Sequence, residues 1–112
     1  GTNLVGKTDS NNTIAAGVPA VGSSLWSFKA EAGGTGGAYD DATNYKLVSA
    51  YTNYSANIPT TNEKISSYGK ATDANGLNTK ITFGVSADAS QAADEYAQTV
   101  TFTAATDATL AF

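Results

Sequence analysis

Residues 80–87 read KITFGVSA, and this stretch decides the fold class. Four apolar residues alternate in it with small and polar ones, namely Ile81, Phe83, Val85 and Ala87. A period of two residues is typical of a β-strand that has one face on a core and the other in water. We therefore predict a half-buried antiparallel strand at this position.

Two further stretches carry the same alternation. Residues 25–32 read LWSFKAEA and residues 96–104 read YAQTVTFTA, and in each the large apolar side chains share one face. Turn chemistry, such as Gly-rich runs and an Asn-Gly pair, separates the strands. Weaker strands are predicted at residues 3–7, 12–16, 44–51, 63–68 and 108–112.

About six to eight short strands at regular spacing indicate one all-β domain over residues 1–112, an antiparallel immunoglobulin-like β-sandwich. Tyr96 favours the sandwich, because a tyrosine at such a corner donates a hydrogen bond to upstream backbone in immunoglobulin-like domains. An aromatic at the core edge is the alternative for Tyr96. The expected core is made of the large apolar residues of these strands: Trp26, Phe28, Leu47, Ile81, Phe83, Val85, Tyr96, Val100 and Phe102.

The composition excludes several classes of function. The chain has no Cys and no His, and all six of its basic residues are Lys. It therefore offers no thiolate, no Ser-His-Asp triad and no ordinary zinc or iron–sulfur site. A net charge of −4 without Arg disfavours nucleic acid, and no apolar run is long enough to cross a membrane. We predict a protein that is not an enzyme and that neither binds nucleic acid nor inserts into a membrane.

The acidic residues suggest at most a cation site. Asp40-Asp41 and Asp94-Glu95 are adjacent pairs, whereas glycoside hydrolysis needs two carboxyls that face each other across a cleft. Residues 73–76 resemble the opening of an EF-hand loop but lack its later Glu ligand. We predict no cofactor, with calcium as the alternative and turn formation as the ordinary role of these residues. The weak calcium candidates are Asp40, Asp41, Asp73 and Asn75.

The tyrosines are unevenly distributed, since five of the six fall between residues 39 and 68. Tyrosine offers a large contact area at low entropy cost and is favoured at interfaces, and glycans stack on its ring. We predict a surface for a protein or glycan partner here, with core packing as the alternative for any single ring. Its candidate residues are Tyr39, Tyr51, Tyr54 and Tyr68.

Three stretches in one order resemble a family of bacterial proteins. Residues 25–29 (LWSFK), 82–88 (TFGVSAD) and 95–104 (EYAQTVTFTA) are similar to the C-terminal modules of repetitive secreted surface proteins of Gram-positive and small epibiotic bacteria. The sequence departs from that pattern at Asp94-Glu95, where Gly-Thr is expected. The resemblance implies an extracellular structural or adhesive module, and it transfers no catalytic residue.

A second resemblance is to donor-strand pilins, which are small acidic β-sandwiches rich in Thr, Ala and Gly. It implies a surface filament assembled by exchange of a terminal strand. The candidate residues for exchange are Leu4 and Val5 near one end of the chain and Leu110 and Phe112 near the other. Ordinary edge strands within one domain are the alternative for both segments.

These observations predict a non-enzymatic, extracellular bacterial surface module with a structural or adhesive role. The alternatives are a filament subunit (a pilin of a fimbrium) and a carbohydrate-binding module. The expected partners are other copies of the protein or a protein or glycan of a host surface. The chain opens at Gly1 without a leader, so we expect a piece of a longer or processed precursor, in which Gly1 is either native or a tag remnant.

Overall fold

The computed structural model describes residues 2–56, 58–72 and 76–105. Its strands, in chain order, are β1 (Leu4–Gly6), β2 (Thr13–Ala16), β3 (Leu25–Ala32), β4 (Tyr45–Leu47), β5 (Ser66–Tyr68), β6 (Thr79–Val85) and β7 (Tyr96–Ala97). Within those described ranges, the helical segments are two short 3₁₀ helices, Gly37–Asp40 and Ser49–Tyr51. No described helix is long and apolar enough to cross a membrane.

The long antiparallel pair of β3 and β6 is the centre of the fold. Residues 25–32 form β3 as predicted, and β6 begins one residue before and ends two residues before the predicted bounds. The two strands pair antiparallel over seven positions, from Trp26 opposite Val85 to Ala32 opposite Thr79. Paired residues point to the same side of a sheet, so Trp26, Phe28 and Ala30 share a face with Val85, Phe83 and Ile81.

Five strands form one sheet in the order β6-β3-β2-β1-β7. The prediction of a purely antiparallel sheet is wrong for one pair, because β2 and β3 run parallel. The eight-residue connection between them returns the chain to the same end of the sheet, where the Gly17 amide donates to the Trp26 carbonyl at 2.9 Å. The all-β class is confirmed, as a curled mixed sheet with a second, smaller sheet beside it.

The second sheet contains only β4 and β5, which pair antiparallel with Tyr45 opposite Tyr68. Both strands are shorter than predicted, and the end of the predicted strand at 44–51 is instead the 3₁₀ helix Ser49–Tyr51. This helix places Tyr51 over the face of β3. The small sheet and this helix therefore act as the cover of the larger sheet.

The core lies between β3 and this cover. Phe28 and Ala30 of β3 are buried together with Tyr51, whose ring stacks on Phe28 at 5.3 Å between centroids. Partly buried apolar side chains surround them: Leu47, Val48, Ile58, Ile65 and Ile81. The predicted core positions Trp26 and Phe28 are confirmed at 4% and 9% exposure.

Four predicted core residues are not in the core. Phe83 is 51% exposed, Val85 62%, Val100 42% and Phe102 60%, so the prediction is wrong for them. The alternation of β6 is correct, but the apolar side chains of this face are buried only on β3, from Trp26 to Ala30, and Phe83 and Val85 of β6 stay exposed. An apolar strand face is buried only where a second layer lies opposite it.

The strand predicted at residues 96–104 is also much shorter than expected, because β7 ends at Ala97. Its partner β1 pairs with it at two positions only. Beyond them Gln98 donates through its side chain to the Asn3 carbonyl at 2.8 Å, and the Thr2 carbonyl accepts from the Trp26 indole instead. Residues 99–105 therefore have the sequence of a strand without a strand beside them among the described residues. The structure is elongated, with extents of 54 × 26 × 22 Å.

Candidate functional site

An apolar groove opens on the uncovered end of the β3–β6 face. Its floor is Trp26 of β3, with Leu4 of β1 beside it, and its volume is about 580 Å³. One wall is formed by β6 through Phe83, Gly84 and Val85. The opposite wall is formed by residues 96–98 with Val100 and Phe102. The two ends of the five-stranded sheet thus face each other across the groove.

The groove is lined by exposed apolar side chains. Phe83, Val85, Val100 and Phe102 all line it, and each exposes between 42% and 62% of its surface. Single exposed apolar residues are normal, but contiguous apolar patches on soluble proteins mark interaction sites. The arrangement of these four side chains therefore points to a partner of apolar character.

The β6 wall also offers unused backbone hydrogen-bonding groups. Within the described residues, β6 forms its ladder with β3 on one edge and no backbone hydrogen bond on the other. An antiparallel strand directs alternate N–H and C=O groups toward each edge, so the free edge of β6 is a template for another strand. It is seven residues long and carries Lys80 as its one charged residue.

The outer face of β6 is covered at Gly84. Gly84 lies under the ring of Tyr54, and a Cβ atom at this position would come within 2.9 Å of that ring. The Lys29 ammonium lies 5.3 Å from the centroid of the same ring. The loop that carries Tyr54 is fixed by the side chain of Ser27, which is fully buried. The Ser27 hydroxyl donates to the Ser55 carbonyl and accepts from the Ser55 amide at 3.0 Å. On the outer face of β6, Tyr54 thus covers Gly84, whereas the Lys80 side chain stays 65% exposed.

Tyr96 fixes the start of the opposite wall. Its hydroxyl donates to the Ala92 carbonyl at 2.6 Å and accepts from the Gln91 side chain at 2.7 Å. The predicted hydrogen bond from Tyr96 to upstream backbone is therefore confirmed. The ring itself is half-buried and faces the groove.

Asp94 fastens this wall to the turn between β1 and β2. Its carboxylate accepts from the amides of Thr8 at 3.0 Å and Asp9 at 3.1 Å, and from the Asn12 side chain at 3.1 Å. These donors, the Thr8 amide first, hold the pKa of Asp94 well below its usual range. Gly6 permits the approach, because a Cβ atom there would collide with the Asp94 carboxylate.

The proposed N-terminal exchange residues are built into the sheet. Leu4 and Val5 lie in β1, which pairs with β2 on one side and β7 on the other. Removing β1 would leave both neighbours without their partner, so this segment is a structural strand in the single chain, and its exchange between copies stays a prediction. Leu110 and Phe112 lie outside the described residues.

The tyrosines do not form a row of exposed rings, since all six are buried or half-buried. Tyr51 is 5% exposed and belongs to the core, which corrects its expected place on a partner surface. Tyr39 packs edge-on against Tyr45 at 5.7 Å, and its hydroxyl accepts from the Asn78 amide. Tyr68 is half-buried in β5.

A second cavity, of about 480 Å³, lies beside Tyr51 and is lined by the loop around Ile58 and Pro59. The Tyr51 hydroxyl donates to the Glu63 carboxylate there. This hydrogen bond, together with burial, raises the pKa of Tyr51. The contact holds the loop against the core.

The acidic candidates for a cation site are used in local structure. Asp41 accepts from the amide and the side chain of Asn44 and lies 3.4 Å from the Lys70 ammonium, and these contacts lower its pKa. Asp40 makes no such contact. Among the residues that the structure describes, no three acidic side chains are grouped so as to hold a metal ion. Asp73 and Asn75 lie outside the described residues.

The sequence analysis named most of the residues that line the groove. It assigned the four exposed ones to a core, namely Phe83, Val85, Val100 and Phe102. The available signal was the length of the alternation in residues 96–104, which continues beyond Ala97, where β7 and its pairing end. Compared with protein-family models, curated protein sequences and solved structures, the chain shows no significant match.

Proposed function

We propose that the protein is a non-enzymatic structural module that assembles with copies of itself by adding a β-strand in the groove. The single observation that carries the proposal is the coincidence of an exposed apolar groove with a free strand edge along it. β-Strand addition uses both features, because main-chain hydrogen bonds provide affinity and alternate side chains fill the pocket.

The energetics of such a contact are favourable. Completing the burial of four half-exposed apolar side chains contributes roughly 3–6 kcal/mol, if full burial of each is worth about 1.5–3 kcal/mol. Each backbone hydrogen bond formed with β6 adds about 0.5–1.5 kcal/mol. These gains offset the loss of translational and rotational freedom on association only if the added strand spans most of the groove.

An added strand also accounts for the immunoglobulin-like β-sandwich that the sequence predicts. It would join β6 to the wall formed by residues 96–102 and lay an apolar face against Phe83, Val85, Val100 and Phe102. These exposed side chains would then be covered as Phe28 already is. We propose that the immunoglobulin-like sandwich is the assembled state, in which each module is completed by its neighbour.

The cellular setting in the proposal is the outside of a bacterium. The Thr-, Ser- and Asn-rich composition and the resemblance to secreted surface modules support this location. A role in adhesion or in a pilus-like appendage then depends on contact area and strand pairing. No bond chemistry is required, which agrees with a chain that has no Cys or His.

The test is the mass of the protein in solution, measured by light scattering over a wide range of concentrations. We compare the wild type with Val85→Asp, which places a charge in the groove. Val85 is 62% exposed, so the change leaves the fold of the isolated module intact. The matched control is Val21→Asp, because Val21 is fully exposed on a loop outside the groove.

We expect the wild type and Val21→Asp to associate as the concentration rises. In Val85→Asp the concentration of half-association should increase by at least about 100-fold, because the charge would be buried without a partner. Association of Val85→Asp equal to that of the wild type would overturn the proposal. A wild type that stays monomeric at every concentration would do the same.

A further inference from the structure

The chain contains one segment whose sequence suits the groove. Residues 106–112 read TDATLAF and lie outside the described residues. Ala108, Leu110 and Phe112 alternate with Asp107, Thr109 and Ala111, in the phase that Val100 and Phe102 already set. The period of two residues is that of a strand with one apolar face.

We propose that residues 106–112 of one copy occupy the groove of a second copy and pair with β6. This inference rests on the proposed function and names the partner segment for it.

A parallel alignment of the two segments matches them in size and charge. With Leu110 beside Phe83, Phe112 lies beside Val85 and Asp107 lies beside Lys80. The Lys80 side chain is 65% exposed, and its ion pair with the Glu31 carboxylate at 3.8 Å is a weak surface contact, so Lys80 can also pair with Asp107. The pair that would form on the solvent side has opposite charges, and the pairs on the groove side are apolar.

The groove of a second copy is a better site for residues 106–112 than the groove of their own copy. Val100 and Phe102 are part of the groove wall, so residues 106–112 could enter their own groove only after a tight reversal close to Ala105. Residues 103–106 read TAAT, without the Gly, Pro, Asn or Asp that tight turns use. We therefore assign residues 106–112 to the groove of another copy.

The consequence is a head-to-tail assembly. The donated segment and the receiving groove are different surfaces, so the contact is heterologous. Each copy donates one segment and receives one, and a contact of this kind forms an open fibre unless its rotation closes a ring. The assembly therefore has a direction along the fibre.

The experiment uses two full-length variants and their mixture. One variant, Val85→Asp, keeps its tail and loses its groove. The other, Leu110→Asp with Phe112→Asp, keeps its groove and loses the apolar face of its tail. The matched control, Thr109→Asp with Ala111→Asp, adds the same two charges on the opposite face. Circular dichroism first verifies that each variant is folded.

We expect each groove or tail variant alone to remain monomeric and their mixture to form a 1:1 heterodimer. The heterodimer cannot grow, because its only remaining groove is blocked and its only free tail is charged. Trp26 lies in the floor of the groove, so its fluorescence should change on mixing and report occupancy directly. The opposite-face control should assemble within about threefold of the wild type.

Two results would overturn the inference. If the tail variant assembles as the wild type does while Val85→Asp does not, the groove is the interface but residues 106–112 are not its occupant, and the proposed function stands. If the tail variant is monomeric, the wild type is also monomeric, and only the tail variant has altered Trp26 fluorescence, the segment fills its own groove. That result removes both the inference and the proposed assembly.

Discussion

The two strands of the β3–β6 face, β3 as its closed half and β6 as its open half, have the same sequence pattern and opposite environments. In the closed half, Phe28 and Ala30 are 9% and 1% exposed, because Tyr51 and the β4–β5 sheet cover them. In the open half, Phe83 and Val85 are 51% and 62% exposed beside the groove. Alternation thus specifies which face of a strand is apolar, whereas the opposing layer decides whether that face is buried.

Truncating one aromatic ring in each half should give the largest difference in the free energy of unfolding. Phe28→Ala removes a buried ring that stacks on Tyr51, so we expect a loss of about 3–5 kcal/mol in the free energy of unfolding. Phe83→Ala, directly opposite on β6, should cost less than about 1.5 kcal/mol, since half of its ring already faces water. Urea unfolding of both monomeric variants measures this. Equal losses would contradict the division into a closed and an open half.

A smaller effect is expected from the buried hydroxyl that holds the loop on the outer face. Ser27→Ala leaves the Ser55 amide and carbonyl without this partner, and we expect a loss of about 1–3 kcal/mol in the free energy of unfolding. Ser67→Ala is the control, because the Ser67 side chain makes no hydrogen bond among the described residues. Thermal unfolding compares them, and a Ser27 variant as stable as the control would show that the loop does not depend on this contact.

The third effect concerns the wall of the open half and its dependence on pH. The pKa of Asp94 is lower in the folded state than its unfolded value of about 3.9, so its ionised form favours folding above that value. This stabilisation should be lost progressively as the pH falls below about 5 toward the folded-state pKa.

Asp94→Asn tests this dependence. We expect a variant that is less stable than the wild type at neutral pH, with a difference that shrinks as the solution is acidified. Asp40→Asn serves as the control, because the Asp40 side chain makes no hydrogen bond or ion pair among the described residues. Melting temperatures measured between neutral and acidic pH give the comparison. A constant difference across that range would argue against the role of the Asp94 carboxylate.

Much of the local structure could be predicted from the sequence, because it depends on nearest neighbours along the chain. The bounds of β3, the strand at β6 and the backward hydrogen bond of Tyr96 follow from alternation and from a corner motif. The parallel pairing of β2 with β3 did not follow, since the direction of a strand depends on where its connection ends. The burial of Tyr51 did not follow either, because a turn of 3₁₀ helix rotates it onto Phe28.

The candidate site shows the same division. Sequence reasoning identified the apolar residues of strands 80–87 and 96–104, and it assigned them to a core. Their exposure results from a missing neighbour, and a missing neighbour leaves no mark on the residues that lack it. The alternation beyond Ala97 predicted a strand, and only the structure shows that no described strand lies beside it.

The sequence by itself determined that this protein is built from β-strands, which residues face inward on each strand, and which chemistries its composition excludes. The tertiary structure alone decided that the inward face is covered at Phe28 and open at Val85, and that β6 keeps a free edge beside the opening. The physical reason is that side-chain periodicity is a property of one strand. Burial and edge pairing are properties of two surfaces, and their meeting depends on the path of the whole chain.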